Sequence, residues 1–165
     1  MIFIETQHLS RQAIRVVSWI MAGATLFQLL LFSTIAYVER DTSVIAPAGF
    51  TLLLLAIVML MMRFSTLYVR IDATSIFVKA RWFHRRGRTI PWSDVQRVRL
   101  RPLRAMSEFG GWGIRYGFSN TWGYIYDGTH CVELTLSSKK KVVISIVDIE
   151  GLRAVLASLG HTPDL

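Results

Sequence analysis

Two long stretches without a single charge stand almost back to back near the start of the chain. Val16–Val38 reads VVSWIMAGATLFQLLLFSTIAYV, Val44–Met62 reads VIAPAGFTLLLLAIVMLMM, and only ERDTS separates them. As helices they would extend roughly 34 Å and 28 Å, against a bilayer hydrocarbon core of about 30 Å. Pro47 falls in the first turn of the second run, where a missing N–H is tolerated. A signal peptide fits poorly: the first run is too long, has no A-x-A-like end, and is followed at once by another. Buried core helices are the plain alternative, and two such runs in succession argue against them. The connection is too short for a domain, so the pair is predicted to form a transmembrane helical hairpin.

Charge orients that hairpin and organises the chain. Arg11 and Arg15 precede the first span, Arg63 and Arg70 follow the second, and the turn holds one arginine against two acids. This bias predicts both termini in the cytoplasm of a multi-pass inner-membrane protein. The organisation is then an N-terminal cytoplasmic segment 1–15, a hairpin 16–63 (spans 16–38 and 44–62), a cytoplasmic domain 66–160 and a tail 161–165. The net charge of +8 lies entirely in residues 63–165. A basic domain tethered there is expected to meet anionic lipid, with nucleic acid the other polyanion that charge suggests. The single cysteine, Cys131, excludes an intrachain disulfide and suits a reducing compartment.

On a helical wheel Ser18, Ala22, Thr25, Ser33 and Ala36 share one side of the first span, the small and hydroxylated kind that lets membrane helices approach closely. Gln28 sits near mid-span, where an unpaired amide is costly. It is expected to bond another helix. The nearer choice is the second span, with Thr51 or a backbone carbonyl as acceptor. The alternative is a foreign membrane protein or a homo-oligomer partner.

After Arg63 the hydrophobic period changes from helix-like to strand-like. TLYVRID, SIFVKARWF, a short strand towards Ile90, and QRVRLRP with Arg97, Arg99 and Arg101 on one face all read as strands. Between Phe109 and Gly128 lies FGGWGIRYGFSNTWGYIYDG. There Trp112, Ile114, Tyr116 and Phe118 alternate with Gly111, Gly113, Arg115 and Gly117, and Trp122, Tyr124 and Tyr126 resume the pattern. Period two is the strand period. Strands with one bulky and one nearly bare face bend sharply, so the stretch is read as the curved part of a small barrel or bent sheet. Asp127-Gly128 signals a hairpin. A nucleotide cradle fails on spacing: Gly111-x-Gly113-x-x-x-Gly117 is not G-x-G-x-x-G, and no βαβ unit surrounds it. HCVELTL and KKVVISIV are two further strands. DIEGLRAVLASLG closes the chain as an amphipathic helix, with Asp148 as N-cap, Gly160 at C′, and Ile149, Leu152, Val155, Leu156 and Leu159 on one face.

The order of these elements, with IPWSDVQRV, GGWGIR, GYIYDGTHCVELTL and VDIEGLRAVL in succession, resembles the bacterial pleckstrin-homology (PH)-like domain family found after membrane hairpins in small proteins. The resemblance covers residues 66–160. It implies an α+β membrane protein: a transmembrane α-hairpin followed by a PH-like, seven-stranded antiparallel barrel or bent sheet with one C-terminal amphipathic helix. It further implies a docking role, and no catalytic signature accompanies it.

Candidate chemistry is sparse. His8, His84, His130 and His161 are scattered without metal-ligand spacing, and His130 and Cys131 should point to opposite faces of one strand. No nucleophile–base set or carboxylate pair is evident, so no enzyme activity, metal, cofactor or small-molecule substrate is expected. The strongest surface feature is basic. Arg81, Arg85, Arg86, Arg88, Arg97, Arg99, Arg101 and Arg104 face only Asp94 within residues 81–104. They form either a solvated face or a patch for anionic lipid headgroups or an acidic protein partner. Nucleic acid ranks third, since no recognised motif is present. Arg115, alone among glycines, either reaches a carboxylate or phosphate or pairs with Glu108 or Glu133. Trp112, Trp122, Tyr124 and Tyr126 read as barrel filling or membrane-interface contacts. The partners expected are membrane lipids and another integral membrane protein or a second copy, which makes this a membrane-anchored accessory or assembly subunit. The alternative is a lipid-binding surface module.

Overall fold

The computed structural model describes residues 1–39, 45–81, 86–117 and 120–161. They divide into two compact units: Met1–Ser10 with Ser65–Leu165, and Arg11–Phe64.

The second unit is a pair of helices, α1 (Arg11–Glu39) and α2 (Ile45–Arg63). Both are long and apolar enough to cross a membrane. They meet along one half-buried stripe, with Ile14, Ser18, Met21, Thr25, Gln28, Phe32, Ile35 and Ala36 on α1 and Ala48, Thr51, Leu52, Leu55, Met59 and Met62 on α2. These are the i, i+3, i+4, i+7 positions that share a helical face. Gln28 Nε2 donates to the Ala48 carbonyl at 3.1 Å and to the Thr51 hydroxyl. Ala22 and Ser33 lie off the stripe and are exposed. The Ser33 hydroxyl donates back to Leu30 O of its own helix. Large residues, not only small ones, therefore make the contact. ERDTS falls mostly outside the described residues.

The first unit contains a four-stranded antiparallel sheet in the order β1-β2-β3-β4, formed by Phe3–His8, Thr66–Ile71, Ser75–Ala80 and Arg88–Pro91. The first of these strands was not expected. It comes from the segment read as a plain N-terminal extension, and it pairs with β2 over six positions, from Phe3↔Ile71 to His8↔Thr66. The whole helical pair is thus inserted between two neighbouring strands. Its inward residues are Phe3, Glu5 and Gln7, while Ile4 points out and is exposed. This inversion of the usual alternation is why the strand is hard to read. The two polar inward groups find distant partners. Gln7 Nε2 donates to Ser145 O (2.6 Å), Gln7 Oε1 accepts from Ser145 Oγ (2.7 Å), and Glu5 accepts from the N–H groups of Val147 and Asp148.

The second sheet has five strands in the order β5-β8-β9-β7-β6: Val95–Pro102, His130–Leu136, Lys141–Ile146, Thr121–Ile125 and Gly113–Gly117. Nine strands are therefore present among the described residues, in two sheets, where seven in one antiparallel barrel or bent sheet were expected. One pair, β7 with β9, is parallel. Asp127-Gly128 does not close a hairpin, because β7 and β8 are not neighbours and β9 lies between them. The turn instead passes over the end of β9. Gly128 has φ +89°, and a Cβ placed there would lie 2.3 Å from Ile146 O. Two short strands flanking Asp-Gly look alike in sequence whether they pair directly or straddle a third.

Inward-facing Leu67, Val69, Ile71, Ile76, Val78, Tyr124, Val132, Leu134, Val142 and Ile144 are all buried to 1% exposure or less. Together they form the core expected of alternating strands. The last helix, α4 (Ile149–Ser158), closes the unit as the sequence predicts. Asp148 Oδ1 accepts from Gly151 N at 2.9 Å, and Leu152, Val155 and Leu156 are buried. Beyond α4 the His161 ring stacks on Trp92 at 3.9 Å. In the turn after β2, Asp72 accepts from the hydroxyl and N–H of Thr74 and the N–H of Ser75. These bonds hold its carboxyl down to about 2.

Candidate functional site

The outer face of the five-stranded sheet gathers most of the predicted residues. A short helix, α3 (Ala105–Phe109), crosses this face between the edge strands β5 and β6. Phe109, the first residue of the stretch read as curved sheet, ends this helix instead. Gly110 stops it in the left-handed conformation, φ +67°. Helix-forming Ala-Met-Ser-Glu ahead of two glycines was the available signal. Leu103, Ala105, Phe109 and Trp112 pack on Ile125, Cys131 and Val143, giving the sheet a second, smaller apolar layer. Burial there pushes the Cys131 thiol up to about 12, so it is an inert packing group.

The bare face read from the glycines is where Phe109 rests. A Cβ at Gly123 would lie 2.7 Å from the Phe109 ring. Gly123→Ala is expected to destabilise the unit by about 1–3 kcal/mol through overpacking. In Phe109→Leu the same change should cost much less. Additive losses in thermal unfolding of the two single variants and the double variant would refute the contact.

Beside this layer runs a half-buried charge network. Arg101 Nε donates to Glu133 Oε2 (2.8 Å), Arg101 Nη2 meets Glu108 Oε2 at 2.7 Å, and Lys141 Nζ meets Glu133 Oε1 at 3.1 Å. These groups line a cleft of about 280 Å³ with Phe109, Gly117 and Thr121. Burial alone would raise the Glu133 carboxyl, but the hydrogen bonds from Arg101 and Lys141 outweigh it and hold it below its ordinary value. Burial would likewise lower the Arg101 guanidinium, and its bonds to Glu108 and Glu133 hold it up instead. A carboxyl lowered by folding stabilises above its unfolded value and loses that contribution as the pH falls through the folded one. Glu133→Gln is therefore expected to cost about 1–3 kcal/mol at neutral pH, with the gap to wild type closing below pH 4.5, the carboxyl's ordinary value. Unfolding of both proteins across pH measures it, and a pH-independent gap would contradict the network.

The described arginines lie on two sheets. Arg97, Arg99 and Arg101 share the outer face of β5, where Arg101 is committed to the two carboxylates. Arg104 is exposed just before α3. Arg115 lies on β6, at the opposite edge of the sheet, and its Nε donates to Trp112 O (2.9 Å) rather than to Glu108 or Glu133. Arg81, Arg86 and Arg88 belong to the other sheet, around the β3–β4 connection. Arg85 and His84 lie outside the described residues. Of the aromatics, Tyr124 and Tyr126 are core, and the Tyr126 hydroxyl bonds Ser65 Oγ at 2.8 Å. Trp122 packs edge-on against the exposed ring of Tyr116.

The chain is therefore an α+β protein of two units, one of them a pair of candidate membrane-spanning helices and the other a two-sheet β unit with a C-terminal helix. No family model, no curated protein and no solved structure matches it.

Proposed function

We propose that this protein is a non-catalytic binding module anchored in a bacterial inner membrane, an accessory or assembly subunit that docks another integral membrane protein. The observation that carries the reading is how little of the helical pair is covered. Outside the shared stripe, Trp19 is 78% exposed, Phe27 68%, Leu30 60% and Phe50 61%. Apolar surface on that scale needs lipid or a partner helix. Trp19 and Tyr37 stand about 27 Å apart along α1, a spacing suited to the two interfaces of a bilayer. The pairing of His8 with Thr66 supports an even number of crossings, since the chain leaves and rejoins one sheet at one point. With the Lys/Arg bias, that favours a cytoplasmic β unit. The PH-like resemblance supports the docking role and the bacterial setting through the strand series and the closing helix, while the parallel β7–β9 pair departs from an all-antiparallel barrel.

Purification in mild detergent is expected to bring down a membrane protein in fixed stoichiometry. A monodisperse single chain, whatever the detergent, would overturn the docking role. A second reading, a module for anionic lipid, is favoured by the basic β3–β4 connection and survives that result.

A further inference from the structure

We propose that the outer edge of β6 takes an extended acidic segment of a partner protein as an added strand. The proposal rests on the docking role above and names what is docked.

The two sheets have four edge strands, β1, β4, β5 and β6, and three of them are guarded. Strand β5 carries Arg97, Arg99 and Arg101 and ends on Pro102. Strand β4 has only four residues and ends on Pro91. Strand β1 is tied through Glu5 and Gln7 to residues 145–148. Charge, proline, short length and cover are the devices that keep a sheet edge from adding a strand. Strand β6, Gly-Ile-Arg-Tyr-Gly, has no proline and one charge. Among the described residues only β7 pairs with it. The approach to its start is open, for a Cβ added at Gly110 or Gly113 would meet nothing within 4 Å. Between α3 and the end of β6 lies a groove of about 630 Å³, lined by Met106, Ser107, Phe109, Gly110, Tyr116 and Asn120. Met106 and Tyr116 leave more than half of their surface exposed there.

Alternation along β6 says what such a strand would present. Gly113, Arg115 and Gly117 share one face, and Ile114 and Tyr116 the other. The Phe109 ring lies on the first face, 3.1 Å from a Cβ placed at Gly117. On the second, Tyr116 packs on Trp122. Cross-strand neighbours then call for an acid opposite Arg115 and apolar residues opposite Ile114 and Tyr116. The nearby carboxylates leave this charge unanswered. Glu133 and Glu108 are 13% and 29% exposed and are shared with Arg101 and Lys141, whereas Arg104 and Arg115 are exposed. Charge also argues against a second copy as the occupant. Antiparallel pairing of two β6 strands about Arg115 would set two guanidiniums opposite each other, which is destabilising. Extended partners of this kind draw affinity from main-chain hydrogen bonds and specificity from alternate side chains.

The test presents the full chain, in detergent micelles, to random heptapeptides displayed on phage. The enriched peptides are expected to alternate acidic with β-branched or aromatic residues. The most enriched one, synthesised with a fluorophore, should bind by anisotropy and weaken with added salt. Arg115→Glu should weaken it about tenfold or more, since an attractive cross-strand pair becomes a repulsive one. The same peptide with its acids changed to Lys should recover binding to Arg115→Glu, which a misfolded chain would not do. Arg97→Glu, on the guarded edge β5, should bind as wild type. No enrichment, enrichment of peptides without acids, or equal losses in the two variants would overturn the proposal. So would a dimer of the chain that Arg115→Glu abolishes, which would give the edge to a second copy. A partner that still co-purifies when the peptide selection fails would strike this site and leave the docking role standing.

Discussion

A chain lacking residues 2–8 is expected to lose its β unit altogether while keeping its helices. Those residues look dispensable, being a short polar-and-apolar stretch ahead of an anchor. In the structure they are the edge strand β1, and three kinds of stabilisation leave with them. The buried Phe3, 6% exposed, is removed with its contacts, and Leu67, Val69 and Ile71, its β2 neighbours, would open to water. Burial of one such side chain is worth about 1.5–3 kcal/mol. Gln7 would leave Ser145, which is fully buried and also accepts from the Tyr126 N–H, without its side-chain acceptor. An orphaned buried polar group costs about 1–3 kcal/mol. Removing Glu5 strips two backbone N–H groups at the start of α4 of their acceptor. Together these approach the 5–15 kcal/mol that holds a small domain folded. Near-UV circular dichroism and limited proteolysis of the detergent-solubilised chain would report it. A truncated chain with native tertiary signal would contradict the placement of β1. The converse chain, residues 1–10 joined by a short Gly/Ser linker to 65–161, is expected to fold without detergent, whereas 65–161 alone is not.

Gly128→Val carries the second large effect. The connection from β7 to β8 must pass β9, and at Gly128 the backbone runs against the carbonyl of Ile146. A β-branched residue at φ +89° is strained in itself, by about 1–3 kcal/mol. Its Cβ would also overlap a carbonyl oxygen held in the sheet, which cannot swing aside like a side-chain tip. The expected loss is about 3–5 kcal/mol, read as a lowered unfolding midpoint with helix content in α1 and α2 retained. Were Asp127-Gly128 an ordinary two-residue hairpin, the cost would come from φ alone, and Gly128→Asn would restore nearly all of it. In this structure Asn retains the overlap and should rescue only in part.

Much of this architecture can be read from residues close in sequence. Uncharged length gives α1 and α2, period two gives the strands from β2 to β9 except their pairing, and Asp148 with Gly160 brackets α4. What escapes reading depends on partners far along the chain. The strand β1 turns Glu5 and Gln7 inward because Ser145, Val147 and Asp148 wait there, some 138 to 143 positions away. The skipped connection at Asp127-Gly128 depends on a β9 that comes later in the chain. The arginines illustrate the same limit. Eight within 24 residues look like one patch, yet register divides those in the described strands between two sheets, and Arg101 is paired with Glu108 and Glu133.

Single cysteines at Thr42, between the two helices, and at Ser138, in the turn after β8, give the most direct measurement. The native Cys131 is fully buried and should stay silent. In sealed vesicles treated with a membrane-impermeant thiol reagent, the two sites are expected to label from opposite sides, each only from its own. Labelling of both from one side, or recovery of the chain in the soluble fraction, would contradict a β unit hung from a hairpin that crosses the membrane and returns.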